Sequence, residues 1–245
     1  MKDVMLYKMN EKIKYSEQWD ISAQYFYNKG NYSWMADKLT GYKNVLEVGC
    51  GTGYSTLALV EKGYRVIAVE KNPECINKAK KLLYENGYKR GEVSFITGDI
   101  VDEALRNKLV KKFKFDITIC WNIGTYWNRQ MMEKYLPYMY EYGLDSLAIS
   151  SNPESAYAEL IIWNACRLAK AKEVPCNIVE RGSQLITAQT DPFYYVLKNE
   201  LGFSSIEYDN KPADSLSNGG RMLTVNGKIN AEEIVEIVFA SILYK

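Results

Sequence analysis

"VLEVGCGTGYS", residues 45–55, decides the fold. A short apolar run ends in three glycines at alternate positions, Gly49, Gly51 and Gly53. Glycine takes positive φ without a side-chain clash and lets a backbone approach its neighbours closely. A strand, a glycine turn and a helix together present backbone N–H groups and a helix N-terminus to a ligand. Residues 45–48 read as a buried strand. Residues 54–62 read as the helix leaving the turn, closed at Gly63.

The alternation continues outward from that unit. Residues 65–70 (RVIAVE) are a second strand, and Asn72-Pro73 places a cap residue before a proline at the first helical position. Ile76, Ala79, Leu82 and Leu83 give the next helix one apolar face, and Gly87 ends it. Residues 93–97 are a third strand closed by Gly98-Asp99, followed by a helix over 100–112 and a fourth strand over 115–121 (FDITICW). A helix interrupted by Pro137 covers 128–142, and residues 146–150 read as a fifth strand. Beyond them come a long helix over 154–172, a strand or hairpin within 176–190, and a helix over 192–201 ending at Gly202. Residues 203–208 and 222–225 read as two closing strands. A last helix starts at Asn230 with Glu233 three residues on, a capping-box pattern. Ile234, Val235, Ile237, Val238, Phe239, Ile242 and Leu243 make that helix apolar around much of its circumference, which implies burial in the domain or a homodimer contact.

Strands alternating with helices predict an α/β fold: a doubly wound, mostly parallel seven-stranded sheet with helices on both faces. One domain is expected over 1–245. It divides into a helical, aromatic N-terminal segment (1–40), a core (41–152), an insertion capping a substrate pocket (153–191), and closing strands with a C-terminal helix (192–245).

Composition excludes several classes. Lys plus Arg is 31 against 30 Asp plus Glu, a net charge of +1, so the basic excess of a DNA binder is absent. Five widely spaced cysteines without C-x-x-C read as free thiols of a reducing, cytoplasmic compartment. No apolar run approaches the ~20 residues that cross a bilayer, so no membrane partner is expected. The chain has no histidine, which removes the commonest general base and metal ligand. No metal site is expected.

Three nucleotide-binding turns compete for residues 49–55. A G-x-x-x-x-G-K-[ST] phosphate loop is absent. The dinucleotide pattern G-x-G-x-x-G needs glycine or alanine where Tyr54 stands. E-V-G-C-G-T-G instead resembles motif I of the class I S-adenosylmethionine-dependent methyltransferases. Glu70, Gly98-Asp99 and the end of FDITICW follow in the family's order. The resemblance covers roughly residues 40–152 and implies a Rossmann-like fold, S-adenosylmethionine as cofactor and S-adenosylhomocysteine as product. It implies contacts to the cofactor from Glu47, Gly49, Cys50, Gly51 and Gly53. It implies ribose contacts from Glu70 with Lys71, adenine contacts from Asp99 and Ile100, and a place beneath the transferred methyl for Trp121 and Asn122.

The acceptor is expected past the carboxyl ends of the strands. Tyr25, Tyr32, Trp34, Thr125, Tyr126, Trp127 and Asn152 are candidate substrate contacts. Without histidine, a general base falls to Tyr126, Glu154 or Asp191, and Arg181 is a candidate receiver of a substrate carboxylate. Asn122-Ile123-Gly124-Thr125 departs from the N-P-P-Y loop of DNA amino-methylating enzymes. The expected activity is in-line methyl transfer to a small molecule or small peptide. The alternatives are aminocarboxypropyl transfer from the same cofactor, methylation of RNA or protein, and a non-catalytic binding module.

Overall fold

A computed structural model of the chain begins with two helices, α1 (Lys2–Asn28) and α2 (Asn31–Asp37), hinged at Gly30 with φ 69°. The structure describes every residue except 1, 90, 124–128, 192, 217–223, 226–227 and 230–233; for residues 2–10, 129, 224–225 and 228–229 it describes the backbone. Then follow β1 (Asn44–Val48), α3 (Tyr54–Glu61), β2 (Arg65–Glu70), α4 (Pro73–Glu85), β3 (Val93–Thr97), α5 (Glu103–Lys112) and β4 (Ile117–Trp121). Three helices come next: α6 (Arg129–Tyr142), α7 (Ser146–Ser151) and α8 (Pro153–Lys172). The chain closes with β5 (Cys176–Gly182), α9 (Tyr194–Leu201), β6 (Ile206–Ser215), a two-stranded pairing of β7 (Thr224–Val225) with β8 (Lys228–Ile229), and β9 (Val235–Tyr244).

Seven strands form the main sheet in the order β3-β2-β1-β4-β5-β9-β6. The first five are parallel, and β9 runs antiparallel to both of its neighbours. Side chains alternate across the sheet, so two cores form. Leu46, Val48, Cys120 and Ile178 face α8, α9 and α5 through Leu160, Leu197 and Leu109. Val45, Ile117, Ile119 and Val179 face α1, α2 and α3 through Phe26, Met35, Leu57 and Leu59. Among the described residues no helix is long and apolar enough to cross a membrane.

Local chemistry sets the helix starts. Asn72 precedes Pro73 and its side chain accepts from Glu74 N at 3.0 Å. Asp102 does the same for Ala104 N at 2.9 Å, so α5 starts at Glu103 rather than at residue 100.

The second half differs from the sequence reading in several places. Residues 146–150 lie in α7, whose N-cap Asp145 accepts from Ala148 N at 2.7 Å, and are not a strand. The fifth parallel strand is β5 instead. Residues 153–182 are therefore no inserted cap: α8 is the crossover helix between β4 and β5, and Leu160, Ala165, Cys166 and Ala169 are fully buried against the sheet. The segment expected as a C-terminal helix is β9, flanked by β5 and β6. A strand buried on both faces has no polar alternation, so a continuous apolar run fits it as well as it fits a buried helix. The closing strand expected at 203–208 is longer, Ile206–Ser215. Of 222–225 only β7 is described, outside the main sheet.

Candidate functional site

The glycine turn lies at the carboxyl end of β1, and each glycine meets a different part of the fold. At Gly53 (φ 94°) a Cβ would stand 2.7 Å from the Cβ of Ala79, so this glycine lets α3 and α4 close together. At Gly49 (φ 79°) it would stand 2.5 Å from Cδ1 of Ile123, just past β4. At Gly51 (φ 52°) it would collide with the indole nitrogen of Trp19 on α1. Gly49 N donates to Val69 O at 2.8 Å, which pins the turn to β2.

Beside the turn a narrow cleft opens between the strand ends and α1. Gly49, Gly51, Glu70, Lys71, Asp99 and Ile100 line it. Glu70 ends β2 facing the turn. Its Oε2 accepts from Gly51 N at 3.2 Å and its Oε1 from Asn72 N at 2.8 Å. Burial raises its pKa above the usual carboxylate range, opposed by the Asn72 N–H and the Lys71 charge. Lys71 follows, packed over the rings of Tyr157 (4.1 Å) and Tyr135 (5.2 Å). Its ammonium donates to the Tyr157 hydroxyl, and burial pulls its pKa down to about 8. Burial would also raise Asp99, but hydrogen bonds from Lys134 Nζ (2.7 Å) and the Tyr135 hydroxyl outweigh it and hold the carboxyl below its usual value.

Other expected contacts stand back from the cleft. Glu47 is buried under the turn, where its carboxylate accepts from the Ser55 hydroxyl and from Thr56 Oγ1 at 2.6 Å. Burial pushes its pKa up to about 7. Cys50 is buried, and burial raises its thiol. Trp121 turns into the core, donating from Nε1 to Asn177 Oδ1 at 2.7 Å. Asn122 follows in a left-handed conformation, φ 46°, and is buried.

The acceptor candidates separate. Tyr32 is buried and faces the Asn122 amide. Tyr25 sets its ring edge-on to Phe26 at 6.2 Å, with its hydroxyl oxygen buried. Trp34 lies elsewhere, between the ammonium groups of Lys38 (4.9 Å) and Lys211 (5.9 Å). Asn152 caps α8 by accepting from Ser155 N at 3.1 Å, a structural duty. Asp191 caps α9: its oxygens accept from Phe193 N (2.8 Å), Tyr194 N (2.6 Å) and Tyr195 N (2.7 Å) and from the Tyr208 hydroxyl. These bonds commit the carboxylate to holding the start of α9. Glu154 lies in the first turn of α8 and does not line the cleft. Thr125, Tyr126 and Trp127 lie outside the described residues.

Sequence reasoning missed Tyr15 and Trp19 on α1, and Tyr157 and Ile161 on α8, all of which line the cleft. Tyr15 and Trp19 fall at i and i+4, which puts them on one face of α1. That spacing was the available signal, but nothing local says what the face covers.

The chain is 30% identical over 144 residues to magnesium-protoporphyrin O-methyltransferase of Rhodobacter capsulatus, covering 59% of this chain and 60% of that protein. It is 38% identical over 69 residues to protein-L-isoaspartate O-methyltransferase 1 of Syntrophobacter fumaroxidans, covering 27% of this chain and 32% of that one. The chain thus spans less than two thirds of either relative. Among solved structures, a candidate RNA methyltransferase from Pyrococcus horikoshii superposes with a TM-score of 0.50 at 16% identity, over 88% of this chain and 84% of that one. The family model described as "Methyltransferase domain" matches residues 39–173, more than half of the chain, and the protein therefore belongs to the methyltransferase-domain family.

Proposed function

We propose that the protein is an S-adenosylmethionine-dependent methyltransferase acting on a small molecule or a small peptide, in a reducing cytoplasmic compartment. One observation carries the cofactor reading. Two carboxylates from successive strand ends, Glu70 and Asp99, line the same cleft as the left-handed glycine turn. Glu70 is a half-buried acceptor whose present partners are backbone N–H groups, and two ribose hydroxyls would suit it equally well. Asp99 would accept from an adenine amino group in place of Lys134. The glycine N–H groups would hold the carboxylate of the cofactor's amino-acid tail. Lys71, the only cation lining the cleft among the described residues, packs between tyrosine rings rather than beside the turn where a sulfonium would lie.

Bound there, S-adenosylmethionine would supply a methyl group activated by its sulfonium for direct displacement. This chain's residues would hold the nucleophile, methyl and sulfur in line. The names of two relatives, both O-methyltransferases, favour oxygen as the receiving atom. The near-neutral charge favours a small acceptor over a nucleic acid. Buried cysteines, none bridged, suit a reducing compartment.

Calorimetry with S-adenosylhomocysteine tests the reading. Binding in the micromolar range is expected, with Glu70→Ala weakening it by about 100-fold, roughly the 2–3 kcal/mol that hydrogen bonds to a charged group contribute. No binding to the unaltered protein would end the proposal.

A further inference from the structure

On the α1–α3 face of the sheet, the ends of β4 and β5 gather a niche of buried polar side chains beyond the residues that line the cleft. Asn122 stands at its floor with φ 46°, a left-handed conformation that a residue with a side chain rarely holds. Its N–H donates to Val179 O at 2.6 Å, which fixes the residue against β5. Its side-chain nitrogen is buried and has no hydrogen-bond partner among the described residues. That nitrogen is donor-only, and it faces the Tyr32 hydroxyl without closing a hydrogen bond. Two residues past Val179, Arg181 sets its guanidinium 5.5 Å from the Phe26 ring and donates to Ser215 Oγ at 3.1 Å. The positive charge of Arg181 also acts on Tyr32. Phe26 meets Phe239 edge-on at 5.2 Å and Tyr32 at 6.4 Å, so aromatic rings wall the niche. The neighbouring carboxylate, Glu47, spends its oxygens on Ser55 and Thr56.

A buried donor without a partner is a penalty in the free protein that a ligand can relieve. The groups gathered here are an amide N–H, a phenol and a guanidinium. Together they suit a ligand group that only accepts and carries negative charge. An ammonium would face a cation, and a neutral amide would forgo the attraction of Arg181. We propose that this niche anchors a carboxylate of the methyl acceptor, a substrate class that rests on the methyl-transfer reading above.

The test uses the full chain saturated with S-adenosylhomocysteine and titrated with benzoate, benzamide and benzylamine. Benzoate is expected to bind, benzamide about tenfold more weakly or worse, and benzylamine not measurably. Asn122→Asp keeps the shape but replaces a donor by a negative charge. It is expected to lower the benzoate-to-benzamide affinity ratio by about tenfold or more, and Arg181→Gln to lower it similarly. The panel on the unaltered protein is decisive even where a variant fails to fold. Equal affinities, a preference for benzylamine, no benzoate binding, or a benzoate preference that both folded variants retain would each overturn the niche and leave the cofactor reading intact. Failure of S-adenosylhomocysteine itself to bind would instead overturn that reading, and the anchored acceptor with it.

Discussion

Glu47 shows how one buried residue can carry both structure and pH dependence. It holds Ser55 and Thr56 at the start of α3, and so braces the turn from beneath. Burial raises its pKa from an ordinary 4.5 to about 7. A raised carboxyl binds more protons folded than unfolded between those values, so its contribution to stability falls as pH rises from about 4.5 to 7 and stays low above. Glu47→Gln removes that titration. In urea unfolding, the stability of the variant relative to the unaltered protein is expected to improve by about 2–3 kcal/mol between pH 5 and pH 8. A constant difference would show that Glu47 is ionised throughout. At this scale the glycines were legible, because three at alternate positions demand an unusual backbone. Their separate duties were not. That Gly53 yields to Ala79 and Gly51 to Trp19 depends on which helices arrive there.

Helix α1 covers the cleft and is anchored by its C-terminal half, where Phe26 is fully buried and the Tyr27 hydroxyl donates to Glu61. Its ties to the core domain include Lys12 O accepting from Asn72 Nδ2 at 3.1 Å and Asp20 pairing with Lys78 at 3.2 Å, a half-exposed ion pair of the kind worth about 0–1 kcal/mol. Tyr15, Trp19, Ser22 and Phe26 follow at i, i+4, i+7 and i+11, one continuous face. Tyr15 and Trp19 meet the cleft, and Phe26 lies under the Arg181 guanidinium. Trp19 lies against Gly51, where the tail of a bound cofactor would also lie. On the proposed cofactor reading, ligand entry requires this end of α1 to shift. Trp19→Ala is expected to speed both association and dissociation of S-adenosylhomocysteine by about tenfold, as for other gating elements. Stopped-flow fluorescence would measure both rates, and unchanged rates would mean that α1 does not gate the cleft. The sequence marked the N-terminal segment as aromatic and helical. It could not say that the face these residues share looks onto a site rather than onto plain sheet.

For the whole molecule, the strand order matters most. β9 enters last and antiparallel, between β5 and β6, and joins the parallel strands to the edge of the sheet. Phe239 on β9 is fully buried and contacts Phe26 of α1 at 5.2 Å. Phe239→Ala is expected to destabilise the fold by about 3–5 kcal/mol in urea unfolding. A loss under 1 kcal/mol would place β9 outside the cooperative core.

The sequence alone determined the glycine turn, the first four strands, the carboxylates at the ends of β2 and β3, and the family they point to. Those features are local: apolar runs bounded by caps and turns, with side-chain chemistry at fixed spacing from them. Tertiary structure decided the rest. It made residues 146–151 a helix, made 235–244 a central strand, gave Asn152 and Asp191 to helix caps, and brought α1 over the cleft. The physical reason is that an apolar run reports burial but not its partner. Only the packed sheet supplies the second face that tells a strand from a helix and a lid from a wall.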